Sequence, residues 1–285
     1  DCPILWRDAT TICFGDRAVV DNVTAAEVSW LGTLDGLRDP AQIAANLPVG
    51  AASARRLVRV ARAVAAIEDA AEVPDSIRWT TPAARPAAWG RLGAAIDTAR
   101  SIPAAFDVLA TRAASPVAVL GTSETADLTR TAVGLAGLPL AERAAARVLL
   151  IAESTFPEAL ALDVDGPHLP IAVWGRRAVV GPLVDPGRSS CLRCAQMHRR
   201  DADLAWPLLS VQWAQATAAM DRQPVDLMLA GLAAMTAASL VRAWIDDPGP
   251  DWTDHALELS LPDGRPQVRD RPPHPLCGCR WAAAR

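Results

Sequence analysis

Four of the six cysteines stand in two tight pairs, Cys191 and Cys194 in "CLRC" and Cys277 and Cys279 in "HPLCGC", far apart along the chain. Closely spaced thiolates suit a tetrahedral Zn²⁺, and two such pairs fill all four positions with little chain strain. Gly278, between the second pair, gives the backbone the freedom that spacing needs. A zinc ion held by four sulfurs has no open position for water, so its task is to staple two distant segments together. Four buried thiols or a redox dithiol are the other readings of the same residues. His198 and His274 lie close enough in sequence to serve as alternative ligands. Cys2 and Cys13 read as ordinary small apolar residues.

A second constellation involves arginine. The chain has no lysine, so all 28 formal cations are arginines and any lysine-dependent chemistry is excluded. Arg55, Arg59 and Arg62 fall at i, i+4 and i+7, on one face of an expected helix. A third candidate is the stretch "GTSETA" after an apolar run, where a dinucleotide fingerprint would place three glycines. Only Gly121 is glycine there; Ser123 and Ala126 occupy the other two positions. The middle glycine normally lets the backbone approach phosphate, so the motif reads as a Rossmann-like scaffold without a phosphate cradle.

The elements that position these residues follow from pattern. The chain of 285 residues is 51% hydrophobic and 21% charged, which marks it as globular. Its net charge of −4 argues against nucleic acid as a partner. The opening "DCPILWRDAT" does not read as a targeting segment, and the apolar stretch 225–244 contains Asp226 and Arg242 and reads as a buried helix. These features place the protein in the cytoplasm, with no membrane partner, where paired cysteines point to metal before disulfide. "PILWR", "TICFGD" and "RAVVDNV" predict a three-stranded antiparallel sheet. Helices follow: one capped by Thr24 with Glu27 as a capping box and running through Leu31, Leu34 and Leu37; one opened by Asp39 and Pro40; and one opened by Ser53. This is a winged-helix-like α+β domain over 1–72. A proline-bearing linker spans 73–103, and a Rossmann-like α/β domain with the four-cysteine site spans 104–285. Its closing hairpin turns at Asp263-Gly264.

The segment "GPLVDPGRSSCLRC", the helices after it and the hairpin into "HPLCGC" resemble the C-terminal half of ubiquitin-activating-like (ThiF-like) adenylyltransferases. By that resemblance Cys191, Cys194, Cys277 and Cys279 are structural zinc ligands, and pairing of two chains as a homodimer is expected. Departures from the active family argue against adenylation. The loop is "GTSETA", the stretch that lines ATP is missing, and Ser154 stands where the family has an aspartate. The N-terminal unit resembles the PqqD-like peptide-recognition domain. Together the two halves resemble the leader-binding partner protein of azole- and azoline-forming cyclodehydratases. That resemblance implies a precursor leader peptide as ligand and a separate YcaO-type enzyme performing the ATP-dependent cyclisation. It implies that the third strand, with Arg17, Ala18, Val19, Val20 and Asn22, accepts the leader as an added strand. The arginine row Arg55, Arg59 and Arg62 would line the groove wall. The alternative is a genuine ATP-dependent adenylating enzyme acting on a peptide or carrier-protein C-terminus.

Overall fold

A computed structural model describes residues 3–16, 18–34, 42–43, 49–64, 66–67, 73, 85–99, 102–153, 164–218 and 225–280. The chain divides into two compact units, Asp1–Leu109 and Ala110–Arg285.

The first unit opens with three short strands, β1 (Ile4–Trp6), β2 (Ile12–Phe14) and β3 (Ala18–Val20), in one antiparallel sheet of order β1-β2-β3. Alternation sets the burial: Ile12, Phe14 and Val20 face the core, whereas Val19 is 50% exposed. Helix α1 (Ala25–Leu31) starts at Thr24 through the reciprocal bonds of a capping box with Glu27, as its sequence predicts. It stops at Leu31 with Gly32 as C-cap, so Leu34 lies beyond the helix; Leu37, Asp39 and Pro40 lie outside the described residues. Helix α2 (Ala51–Ala63) begins at Gly50 and not at Ser53. The Ser53 hydroxyl instead bonds the Glu27 carboxylate. Burial pushes Glu27 up, but bonds from the Thr24 N–H, the Ser53 and Thr24 hydroxyls and the charge of Arg56 outweigh it and hold the carboxyl below its ordinary value. Trp30 and Leu31 of α1 and Ala54, Leu57 and Ala61 of α2 close over the sheet to complete this core. Helices α3 (Arg85–Ala99) and α4 (Ile102–Ala113) follow, with Leu92, Ala95 and Ala105 buried together.

The second unit is built on a six-stranded sheet: β4 (Val117–Leu120), β5 (Val148–Glu153), β6 (His168–Trp174), β7 (Arg177–Val180), β8 (His255–Ser260) and β9 (Pro266–Asp270), hydrogen-bonded in that order. The first three strands run parallel, with β4 joined to β5 across helix α5 (Glu124–Leu135), and the last three reverse direction at each step. β5 and β6 carry near-continuous apolar runs because both are central in the sheet. Helices α6 (Leu192–Ala202) and α7 (Trp206–Ala218) come next, then α8 (Leu227–Asp246), which lies on α5 and across β6 and β7. α8 is long and apolar enough to cross a membrane by composition, but half of that stretch is buried in the protein. Its alanines explain the packing. Ala234 and Ala238 meet Ala132 of α5, and side chains this small let two helix backbones approach closely. At the ends of α4 and α8, Arg112 grips Asp246 with two bonds of 2.8 and 2.6 Å, both side chains nearly buried.

Candidate functional site

The DPGRSS turn delivers the first cysteine pair. Gly187 takes φ of +81°, the Asp185 N–H donates to the Ser189 hydroxyl at 2.8 Å, and the Ser189 N–H donates back to the Asp185 carbonyl at 3.0 Å. The chain then enters α6 with Cys191 as its extended N-cap, and Cys194 one turn inside. The second pair follows β9. Gly278 adopts φ of +72°, a left-handed step that lets Cys277 and Cys279 turn to the same side.

Their four sulfurs lie within 4.8 Å of one another. Cys191 to Cys194 is 3.8 Å, Cys191 to Cys277 is 3.5 Å and Cys194 to Cys279 is 3.4 Å. A disulfide needs about 2.0 Å, so none of these contacts is one. Tetrahedral zinc with Zn–S bonds of about 2.3 Å places its sulfurs about 3.8 Å apart, so the donor set fits such an ion in type, number and spacing. Burial pushes the Cys277 thiol up to about 11 and Cys279 higher still, with the neighbouring sulfurs adding to the effect. Burial opposes ionisation of Cys194 as well, but bonds from the backbone of Cys191 and His274 and from the neighbouring thiols bring it below its ordinary value. Four thiolates cannot share this space unless a cation neutralises them, so metal binding must expel protons.

The surrounding residues fix this geometry. Asp254, itself at φ of +58°, receives the Ser190 N–H on Oδ1 at 2.6 Å and the Arg280 guanidinium on Oδ2 at 2.7 Å. Its carbonyl accepts the Arg271 N–H at 2.7 Å. One residue thus ties together the approach to Cys191, the exit of β9 and the residue after Cys279. Both histidines are committed elsewhere: His274 Nε2 meets Asp201 at 2.8 Å and its Nδ1 accepts the Leu276 N–H, while His198 Nε2 meets the Pro272 carbonyl. Neither belongs to the sulfur cluster.

In the first unit, Ala18, Val19 and Val20 form β3, which among the described residues pairs with β2 alone, leaving its other edge open. Asn22 follows at φ of +55°. Arg17 lies outside the described residues. Arg55, Arg59 and Arg62 share the exposed side of α2. The arginine that touches the end of β3 is Arg56, which donates to the carbonyls of Asp21 and Asn22 at 3.0 and 2.9 Å. Helical spacing singles out the exposed row but not Arg56, because its partners are backbone atoms.

The "GTSETA" loop packs against the end of β5. A Cβ at Gly121, whose φ is +122°, would stand 2.3 Å from the Ala152 carbonyl oxygen. Ser123 caps α5 by accepting from the Ala126 N–H and donates to that same Ala152 carbonyl. Arg130 donates to the carbonyls of Val119 and Gly121.

No protein-family model and no curated protein sequence matches the chain. Solved structures do. The fold is similar to a heterocyclase in complex with substrate and cofactor, at 17% identity and a TM-score of 0.56, over 95% of this chain and 37% of that one. It is similar to the heterocyclase TruD at 16% identity and a TM-score of 0.58, over 98% of this chain and 41% of that one. It is also similar to Escherichia coli MccB with selenomethionine MccA, at 11% identity and a TM-score of 0.53, over 98% of this chain and 97% of that one. The chain therefore spans about two-fifths of the heterocyclases and nearly all of MccB. At such identities the likeness is one of fold: a mixed α/β architecture common to all three.

Proposed function

We propose that this chain is a non-catalytic leader-peptide-binding scaffold of a ribosomal-peptide cyclodehydratase, presenting a precursor to a separate YcaO-type enzyme. The observation that carries the reading is the edge of β3 that no other strand among the described residues pairs, with the chain after β3 held by Arg56. An extended peptide adds to such an edge through main-chain bonds, and flanking side chains select its sequence. Ala18, Val19 and Val20 form the accepting strand and Asn22 follows its end; Arg17, assigned to the same peptide-binding set, lies outside the described residues. Arg55, Arg59 and Arg62 supply positive charge on the helix beside it. Two of the folds the chain resembles are heterocyclases, one solved with substrate, and MccB is solved with MccA.

In this reading zinc, held by Cys191, Cys194, Cys277 and Cys279, fixes the C-terminal hairpin and performs no chemistry. The Ser123 hydroxyl and the Gly121 carbonyl of the "GTSETA" loop are bonded within the protein, whereas Thr125 Oγ1 is buried without a partner; the scaffold reading rests, against an adenylating enzyme, on the missing glycines at 123 and 126. The alternative retains one supporting observation, the near full-length likeness to MccB, which is also solved with ATP. A homodimer is part of the proposal. α7 exposes Leu208, Leu209, Val211 and Trp213, and α8 exposes Met228, Leu232 and Met235, a run of apolar side chains that a second copy would cover.

Titration of a fluorescent leader peptide, combined with ATP–pyrophosphate exchange on the isolated protein, tests the proposal. Saturable leader binding without exchange is expected. Exchange by this chain alone would establish the adenylating alternative.

A further inference from the structure

Alternation along the strands of the first unit turns Ile12, Phe14 and Val20 into the core and the residues between them to the opposite face of the sheet. The register places Leu5 opposite Cys13 and Cys13 opposite Val19. Directly paired residues share a face, so these side chains form one row across the sheet. The row runs from β1 to the edge of β3 that no described strand pairs. Leu5 is 52% exposed and Val19 50%, with Cys13 partly buried between them. Single exposed apolar side chains are ordinary, but a line of them ending at an unpaired edge is not a random scatter. The next row on the same face is polar: the Thr11 hydroxyl donates to the Asp21 carboxylate at 3.1 Å.

β3 is three residues long, with Val19 at its centre. Just past the strand, Arg56 already donates to the carbonyls of Asp21 and Asn22. A strand that adds along Ala18–Val20 therefore sets one of its residues beside Val19, whichever way it runs. In an antiparallel pair the Cβ atoms of such residues lie about 4.5–5.5 Å apart. The side chain of that residue stands on the outer face with the row, while its chain neighbours point to the face on which Val20 is buried. An apolar side chain laid against Val19 removes apolar surface from water; a polar one leaves it wet.

We infer that Val19, backed by Cys13 and Leu5, selects an apolar residue at the central position of the peptide added to β3. The inference rests on the peptide-scaffold reading, and its test separates the two. The full chain, purified with its metal, is panned against a phage-displayed library of random dodecapeptides. Selected peptides are synthesised, those that slow amide exchange at the β3 edge are kept, and cross-strand NMR contacts identify the residue beside Val19. That residue should be Val, Ile, Leu, Met or Phe in most of them. Replacing it by serine should weaken binding about fivefold. On the Val19→Arg variant the preference should invert, so that the same peptide with glutamate at that position binds more tightly than its apolar parent. Melting curves check the variant, and the serine peptides on the wild type decide where it fails to fold. If no peptide protects β3, the scaffold reading and this inference fall together. The inference alone is overturned by peptides that protect β3 without an apolar bias beside Val19, that bind within about twofold after the serine replacement, or that keep their apolar preference on folded Val19→Arg.

Discussion

Cys191 and Cys277 stand 86 positions apart in the chain, yet their sulfurs are 3.5 Å apart. With two more sulfur contacts beside it at similar spacing, the four form a donor set that could hold a metal ion, and zinc is the proposed occupant. The purified protein should carry about one zinc per chain. Cys277→Ser should lose the metal, and a chelator should lower the melting temperature of the wild type but not of that variant. Asp254→Asn, which weakens the tie to Ser190 and Arg280 without touching a sulfur, should reduce zinc affinity about 10- to 100-fold, read by competition with a chromophoric chelator. Metal-free protein with unchanged melting would contradict the site.

The Arg112–Asp246 pair is a separate test of packing. Both side chains are nearly buried, so removing one partner strands a charge in the interior. Asp246→Ala should destabilise the fold by about 3–5 kcal/mol. The double variant Arg112→Met, Asp246→Leu should recover most of that loss, because an apolar pair of similar volume carries no desolvation cost. Urea unfolding of the three variants measures both effects.

Burial lowers the pKa of His168 below 6.5, against the opposing bond to the Gly166 carbonyl. As pH falls below 6.5, the unfolded chain takes up this proton before the folded one does. Stability must therefore drop between 6.5 and the lowered folded value, and be full above that window. His168→Gln should flatten the change in urea midpoint between about pH 7.5 and 5.5. An identical slope in the variant would remove His168 from the account.

The helix caps show what sequence alone can specify. The Thr24–Glu27 box is local chemistry between residues three apart, and it forms as the sequence predicts. Ser53 carries the same cap-forming side chain, but its hydroxyl is drawn to Glu27 on another helix, and α2 starts three residues earlier, after Gly50. The four cysteines are legible because each pair is close in sequence, and the fold brings all four sulfurs within 4.8 Å. Helix α6 is hidden because "LRCAQMHRRDA" is strongly polar and shows only a narrow apolar face. Asp254 and Arg56 are hidden for a different reason: each works through backbone groups of distant segments, and no residue pattern encodes such partners. The reversal of strand direction after β6 is likewise a long-range matter, set by the sheet and not by any one strand.

The apolar side of α7 gives a quantifiable expectation for assembly. At micromolar concentration the chain should sediment as a dimer. Leu208→Glu with Val211→Glu, both at exposed positions, should shift it to monomer with little change in melting. A wild type that is monomeric under these conditions would leave that face without a second copy.

Addition of a leader peptide to β3 as a further strand can be read from amide hydrogen exchange. With saturating leader peptide, exchange should slow at least tenfold at those amides among Ala18, Val19 and Val20 that point away from β2, while the rest of the sheet changes little, since a new ladder protects that edge. Tight leader binding that leaves these amides unprotected would contradict the claim.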